Sequence, residues 1–208
     1  VDASTKGIIC GNFFMFILLF IQSLFLGRAF CSWACALGSA QEILSPLKKK
    51  FAIKGRIIKW FIWVPWIIAI VAIDINNGGY QEVNPLFRTN HGFSLGSIYT
   101  AIAYMCVLLV LLLAQYLVGK RSFCRHICWI APFMILGTEI RKLLKTPSLK
   151  LVKTDSPCVS CKQCTKNCLM GLDVETMLKT NNMENSECIL CGNCADVCNK
   201  ECIKLKFK

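Results

Sequence analysis

The sequence predicts an integral membrane α-helical protein, with about three transmembrane helices followed by a small soluble α+β domain. Two observations lead to this prediction: three long stretches without charged residues, and eight of fifteen cysteines concentrated within residues 158–198. Hydrophobic residues make up 55% of the 208 residues, more than an ordinary soluble domain contains. The expected domains are residues 1–148, with the transmembrane helices, and residues 149–208.

The three uncharged stretches are each close to the length that a bilayer requires. Residues 8–26 contain nineteen uncharged residues, which would span roughly 28 Å as a helix. A signal peptide is the alternative, although its apolar region is usually shorter. Residues 60–73 contain Pro65, which a membrane helix tolerates when its neighbours satisfy the freed backbone group. Residues 97–118 supply the third predicted crossing.

Lys and Arg are distributed unevenly around these stretches. Residues 48–59 and 120–153 are rich in both, whereas the 74–96 loop has a single Arg. The positive-inside rule therefore predicts a multi-pass protein of the inner (cytoplasmic) membrane, with residues 36–56 and all residues after Lys120 in the cytoplasm. The Lys and Arg residues that produce the net charge of +12 flank the apolar runs and form no separate basic face. We therefore expect the bilayer as a partner and no nucleic acid.

Eight cysteines form two copies of the pattern C-x2-C-x2-C-x3-C, offset by thirty residues. Three thiolates at this spacing can hold one face of an iron–sulfur cube, and the fourth cysteine of each run ligates the other cluster. Cluster I is therefore predicted at Cys158, Cys161, Cys164 and Cys198, and cluster II at Cys188, Cys191, Cys194 and Cys168. Structural zinc is the main alternative, but it usually uses two separated C-x2-C pairs. A disulfide framework does not suit a reducing cytoplasm.

This segment resembles the bacterial two-cluster ferredoxin. The proline that follows each fourth cysteine in that family is replaced by Leu169 and Asn199. Ligation does not depend on these positions, whereas the reduction potential does, because hydrogen bonding and solvent access near the sulfurs set it. Gly192, directly after Cys191, suits a close approach of the backbone to a cluster.

Four further cysteines form two C-x3-C pairs, Cys31 with Cys35 and Cys124 with Cys128. Each pair follows a predicted transmembrane helix, and the predicted topology puts both at the cytoplasmic surface. We therefore expect one shared four-thiolate site, holding either a further iron–sulfur cluster or another thiolate-bound metal. The alternative is that these cysteines are small residues in helix packing.

The segments FCSWACALG and CRHICWIAPF, together with the double cysteine series, resemble the NapH/NosR-type membrane polyferredoxins. The resemblance covers most of the chain. It implies cytoplasmic loops with C-x3-C-P motifs and a component of a quinol dehydrogenase that passes electrons to a reductase system. Here Ala36 and Trp129 stand in place of the two prolines.

These patterns predict a membrane-anchored electron-transfer protein that relays electrons between a membrane donor or acceptor and a redox partner through two [4Fe–4S] clusters. A quinol is one candidate donor, with His91, Tyr80 or Glu82 as its polar contacts. A copper-handling or metal-reducing assembly factor for a respiratory enzyme is the alternative, because soft thiolates select Cu(I). A membrane-bound redox sensor is a third. The sequence has no dinucleotide fingerprint and no P-loop.

Overall fold

The computed structural model describes residue 6 and residues 8–43, 57–80, 82–86 and 98–207. The amino-terminal part consists of β1 (Ile8–Ile9), α1 (Gly11–Leu26), α2 (Phe30–Trp33), α3 (Ala36–Ile43), α4 (Ile58–Asn76), β2 (Glu82–Val83), α5 (Ile98–Val118), α6 (Ser122–His126) and α7 (Ile130–Leu144). The carboxyl-terminal part consists of β3 (Leu149–Lys153), α8 (Gln163–Asn167), α9 (Val174–Lys179), α10 (Asn193–Asp196) and β4 (Ile203–Phe207).

Helix α1 begins and ends at sharp changes of backbone direction. Before it, β1 pairs in parallel with β2, with Ile8 opposite Glu82. After it, Gly27 has a φ of 55°, in the left-handed region that favours glycine. A Cβ at Gly27 would lie only 3.2 Å from Leu190 Cδ1, so this turn also allows the chain to approach the carboxyl-terminal part.

Helix α1 packs closely along α7. A Cβ at Gly137 of α7 would lie 1.8 Å from the hydroxyl oxygen of Ser23, which is itself fully buried on α1. The rings of Phe16 and Phe133 lie 4.9 Å apart between the same helices. The contact with α1 buries the middle of α7, including Met134. This pair of helices brings the two C-x3-C segments together, because α2 follows α1 and α6 precedes α7.

The prediction of about three transmembrane helices is wrong. Among the described residues one helix, α4, is long and apolar enough to cross a membrane, by length and composition. Helix α1 (Gly11–Leu26) is apolar but shorter than such a span. Residues 8–26 lack charges, but Ile8 and Ile9 pair as a strand, so that α1 has 16 residues. At 1.5 Å per residue it reaches about 24 Å, less than the hydrocarbon thickness.

The carboxyl-terminal part is organised around an antiparallel pair of strands. Strands β3 and β4 join its two ends, with Leu149 opposite Phe207 and Lys153 opposite Ile203. Its core is continuous with the amino-terminal part, because Ala29 and Met134 belong to the same buried cluster as Leu172. The proposed boundary at residue 148 therefore stays a prediction.

Candidate iron–sulfur centres

The first cavity of the carboxyl-terminal part has a volume of about 260 Å³. Four of the cysteines that line it are Cys158, Cys161, Cys164 and Cys198. These are the four thiols predicted to bind cluster I, and three of them come from the first cysteine run while the fourth comes from the second. Cys202 also lines this cavity but belongs to neither run.

A second, narrower cavity, of about 20 Å³, lies on the other side of the same part. The cysteines that line it are Cys168, Cys188, Cys191 and Cys194. The set is the one predicted for cluster II, and the other side chains around it are apolar, among them Leu172 and Ile189. In each cavity, four soft sulfur donors fit the ligand chemistry of a [4Fe–4S] cluster, and in the second cavity their surroundings are apolar.

The two cysteine runs fold alike. In each run the third cysteine lies on a single helical turn, α8 or α10, and the residue before that turn has a left-handed conformation. The preceding residue is Lys162 with a φ of 61° in the first run and Gly192 with a φ of 81° in the second. A Cβ at Gly192 would lie 3.3 Å from Leu205 Cδ1, which agrees with the close backbone approach expected there. Asn193 Nδ2 donates to Asn167 O at 2.8 Å and links the two turns.

The fourth cysteine of each run accepts a hydrogen bond from the backbone amide four residues later. Leu172 N donates to Cys168 Sγ and Cys202 N donates to Cys198 Sγ, both at 3.4 Å. Amide donors of this kind stabilise sulfur in its anionic form. These two hydrogen bonds form although the proline that follows each fourth cysteine in the two-cluster ferredoxin pattern is replaced here.

Burial sets the pKa of several of these thiols. Desolvation raises the pKa of Cys188 to about 11 and that of Cys194 to about 12. Burial also acts to raise the pKa of Cys198, but hydrogen bonds from the backbone of Cys202 and Lys200 lower it below its ordinary value. The buried thiols therefore hold their protons at neutral pH, and metal binding has to displace those protons.

The two C-x3-C pairs share one backbone arrangement. Cys35 N donates to Phe30 O at 2.9 Å, and Cys128 N donates to Phe123 O at 3.0 Å. Cys31 Sγ lies 3.6 Å from Met134 Sδ, and Gln41 Nε2 donates to Cys124 Sγ at 3.4 Å. The two pairs therefore occupy equivalent positions at the ends of α1 and α5.

Electrostatic interactions connect the two pairs. Burial, together with the neighbouring thiols of Cys124 and Cys31, raises the pKa of Cys128 to about 12. The pKa of Cys124 is likewise raised by burial and then by Cys31, with a smaller effect of Cys35. Across the described ranges, no three His, Cys, Asp or Glu side chains lie close enough to hold a single metal ion. The thiols of the two pairs therefore interact electrostatically, and within those ranges they form no group that could hold one metal ion.

A third cavity, of about 670 Å³, lies between α1 and α4 and is lined mainly by apolar side chains. Asp74 and Tyr80 are at one end, where the Tyr80 hydroxyl donates to Asp74 Oδ2. The other carboxylate oxygen, Asp74 Oδ1, is buried without a hydrogen-bond partner. Of the predicted quinol contacts, Tyr80 lines this cavity, Glu82 is exposed on β2, and His91 lies outside the described residues.

Sequence reasoning missed a group of buried charges beside the C-x3-C pairs. Arg28 Nη1 lies 2.9 Å from Glu187 Oε2, and Lys59 Nζ lies 2.5 Å from Glu187 Oε1. Arg121 Nη2 lies 2.6 Å from Glu42 Oε2, and its Nη1 donates to Cys31 O at 2.9 Å. The only local signal was the position of Arg28 and Arg121, three residues before Cys31 and Cys124.

Comparisons with known proteins support an iron–sulfur role for the C-x3-C segments. The family model described as a 4Fe-4S binding domain matches residues 10–54 and 101–147, each of which contains one C-x3-C pair. The ferredoxin-type protein NapH of Haemophilus influenzae is 24% identical over 193 residues, which is 87% of this chain and 63% of that protein. The regulatory protein NosR of Pseudomonas aeruginosa is 24% identical over 179 residues, 79% of this chain and 23% of NosR. The chain is thus similar to NapH/NosR-type polyferredoxins.

This chain is also similar to the methylamine utilization ferredoxin-type protein MauN of Methylobacillus flagellatus. The two are 25% identical over 70% of this chain and 49% of MauN. This chain therefore spans about half to two thirds of NapH and MauN and a smaller share of NosR. No solved structure matches it. The matching 4Fe-4S domain and the ferredoxin-type relatives support iron–sulfur cluster binding and an electron-transfer role.

Proposed function

We propose that this protein is a membrane-anchored carrier that relays electrons from a quinol to a redox partner protein through two carboxyl-terminal [4Fe–4S] clusters. The observation that carries this proposal is the division of the eight cysteines. Each predicted ligand set lines its own cavity, although each set combines cysteines from both runs. The clusters supply one-electron chemistry, and the protein supplies their position and surroundings. A metal and sulfide analysis of the anaerobically purified chain tests this proposal directly.

A third centre at Cys31, Cys35, Cys124 and Cys128 is part of the proposal. The family model for a 4Fe-4S binding domain covers both C-x3-C segments, which supports an iron–sulfur role for these cysteines. Their shared backbone arrangement and mutual electrostatic interactions support a common site. This centre would connect the helical part with the two carboxyl-terminal clusters.

Copper handling is the second candidate, and one contact favours it. The thioether of Met134 lies 3.6 Å from Cys31 Sγ, and soft thiolate and thioether donors select Cu(I). Stoichiometric copper at the C-x3-C pairs, with no iron there, would support this alternative. The iron–sulfur description of the matching segments favours the first candidate.

The cavity between α1 and α4 is our proposed quinol site. Its apolar lining suits an isoprenoid quinol, and Asp74 Oδ1 is a buried acceptor that lacks a donor. Oxidation of a quinol releases two electrons and two protons, and the Asp74 carboxylate is placed to accept a quinol hydroxyl proton. Fourteen residues of α1 separate Asn12, at this end of the cavity, from Leu26, which is about 21 Å of helix. This helix therefore separates the proposed quinol site from the first C-x3-C pair, which follows α1.

Replacing Asp74 with asparagine should lower quinol-dependent reduction of the clusters on the order of a hundredfold, because the variant loses its general base. Reduction by dithionite should be unchanged, since dithionite bypasses the quinol. The rate is measured anaerobically from the bleaching of the cluster absorbance. Glu82→Gln is the matched control, because Glu82 is exposed on β2 and does not line the cavity. Equal rates for Asp74→Asn and the unaltered protein would rule out this role for Asp74.

For localisation, we propose an inner-membrane protein that α4 anchors, with the cluster-binding part in the cytoplasm. The basic residues 48–59 precede α4, whereas residues 74–96 contain one Arg, so the positive-inside rule supports this orientation. A cysteine introduced as Leu86→Cys, in the exposed loop next to Asn84, should react in intact cells with a membrane-impermeant thiol reagent. A cysteine introduced as Ser39→Cys, exposed on α3, should react only after lysis. The reverse pattern would invert the proposed orientation.

A further inference from the structure

Buried positive charge beside the C-x3-C pairs exceeds buried negative charge. The side chains of Arg28 and Lys59 are fully buried and share one carboxylate, that of Glu187, whose side chain is 12% exposed. This trio therefore carries one uncompensated positive charge. Arg121, 1% exposed, is paired with Glu42, but the Glu42 side chain is 49% exposed and so is partly solvated.

Both arginines also keep hydrogen-bond donors without a protein acceptor. Arg28 Nε and Nη2, and Arg121 Nε, are buried and have no hydrogen-bond partner within the part of the chain that the structure describes. An unpaired polar group in a protein interior costs free energy, and an uncompensated charge costs considerably more. These donors are therefore expected to face an acceptor of negative charge.

The thiols of the C-x3-C pairs are the nearest candidates for that negative charge. Arg121 Nη1 donates to the backbone carbonyl of Cys31, and Gly38, whose Cβ position is 3.1 Å from the same nitrogen, keeps space for the guanidinium. Although burial lowers the pKa of Arg28, the thiol of Cys31 and then the carboxylate of Glu187 raise it above its ordinary value. Cys124 acts on Arg28 in the same direction.

The same arginines also act on the second cysteine run. Burial raises the pKa of Cys188, and Arg28 opposes that effect. Burial likewise raises the pKa of Cys191, and Arg121 opposes it. Each guanidinium group therefore interacts electrostatically with a C-x3-C thiol and with a predicted ligand of cluster II.

We infer that Arg28 and Arg121 are positioning residues that balance the negative charge of a thiolate-ligated centre at the C-x3-C pairs and raise its reduction potential. The inference rests on the proposed third centre. Reduction adds an electron and makes such a centre more negative, so a nearby buried positive charge favours the reduced form. Glu187 has the opposite effect, because its carboxylate neutralises part of that charge.

Two substitutions at one ion pair separate this role from simple structural support. Arg28→Gln removes a positive charge and should shift the midpoint potential of the C-x3-C centre to lower values. Glu187→Gln breaks the same ion pair but removes a negative charge, and should shift the potential to higher values. Arg28→Lys keeps the charge and should restore most of the potential. Lys142→Gln, which removes a partly exposed cation of α7 paired with Glu139, is the control and should leave the potential unchanged.

The potentials are measured by an EPR-monitored redox titration of the anaerobically purified full chain, alongside its iron content and thermal unfolding. Shifts of opposite sign in Arg28→Gln and Glu187→Gln support the inference. Loss of stability in both variants with no shift, or with shifts of the same sign, would overturn it. If the unaltered protein contains no centre beyond the two carboxyl-terminal clusters, the proposed third site fails instead, and the iron content distinguishes that outcome.

Discussion

Replacing Cys168 with alanine is expected to abolish the cluster of the second cysteine run and to leave the cluster of the first run intact. Cys168 belongs to the first run in sequence, but it lines the cavity of Cys188, Cys191 and Cys194. Without the Cys168 thiolate, one iron of the cluster lacks its fourth protein ligand. This narrow apolar cavity offers no polar group to replace it. The loss should be complete for cluster II, measured as iron and acid-labile sulfide per chain and as the EPR spectrum of the reduced protein.

The reciprocal variant and a nearby cysteine provide the controls. Cys198→Ala should damage cluster I alone, because Cys198 lines the cavity of the first run. Cys202→Ala removes a thiol that lines the same cavity but lies outside both runs, so both clusters should assemble. A Cys168→Ala protein that loses only cluster I would contradict the crossed ligation.

The second large effect is expected at the membrane-proximal cysteines. The Cys31→Ala and Cys124→Ala variants should each stop electron delivery from the membrane donor, because both pairs contribute to one centre. The two carboxyl-terminal clusters should remain assembled and reducible by dithionite. The rate of quinol-dependent cluster reduction and the metal content of each variant are the measurements.

Cys106→Ala is the matched control for these variants. Cys106 is an exposed cysteine of α5 that belongs to neither the pairs nor the runs, so its loss should not affect electron delivery. A Cys31→Ala or Cys124→Ala protein with a normal rate and unchanged metal content would rule out the shared centre. These cysteines would then be packing residues.

The grouping of the cluster cysteines could be predicted from the sequence because ligand spacing is a local property. With two residues between successive cysteines, the first two cysteines of each run come just before a single helical turn, α8 or α10, which contains the third. The distant fourth ligand follows from the repeat, since two similar units packed together exchange their fourth cysteines. The ligand assignment itself stays a prediction, although each predicted set lines one cavity.

The number of membrane spans was wrong because the absence of charge does not define a helix. Ile8 and Ile9 are as apolar as the residues of α1, but their backbone pairs with β2. That pairing joins residues more than seventy positions apart, and hydropathy along the chain cannot reveal it. The 19 residues of α4, in contrast, form one uninterrupted helix despite Pro65.

The buried charges were missed for a similar reason. Arg28 and Glu187 are separated by 159 residues, and each alone resembles an ordinary solvated side chain. The contact arises because Gly27 turns the chain towards Leu190 and thus towards the second cysteine run. Long-range ion pairs of this kind depend on how the two parts of the chain pack.

The central claim, that this chain holds two crossed [4Fe–4S] clusters and a further centre at the C-x3-C pairs, is tested most directly by composition. The full chain is purified anaerobically, its iron, sulfide, zinc and copper are quantified, and its reduction is followed by EPR. The account predicts about eight iron and eight sulfide per chain from the two carboxyl-terminal clusters, and about four more of each if the third centre is a [4Fe–4S] cluster. Stoichiometric zinc without sulfide, and no EPR signal on reduction, would contradict it.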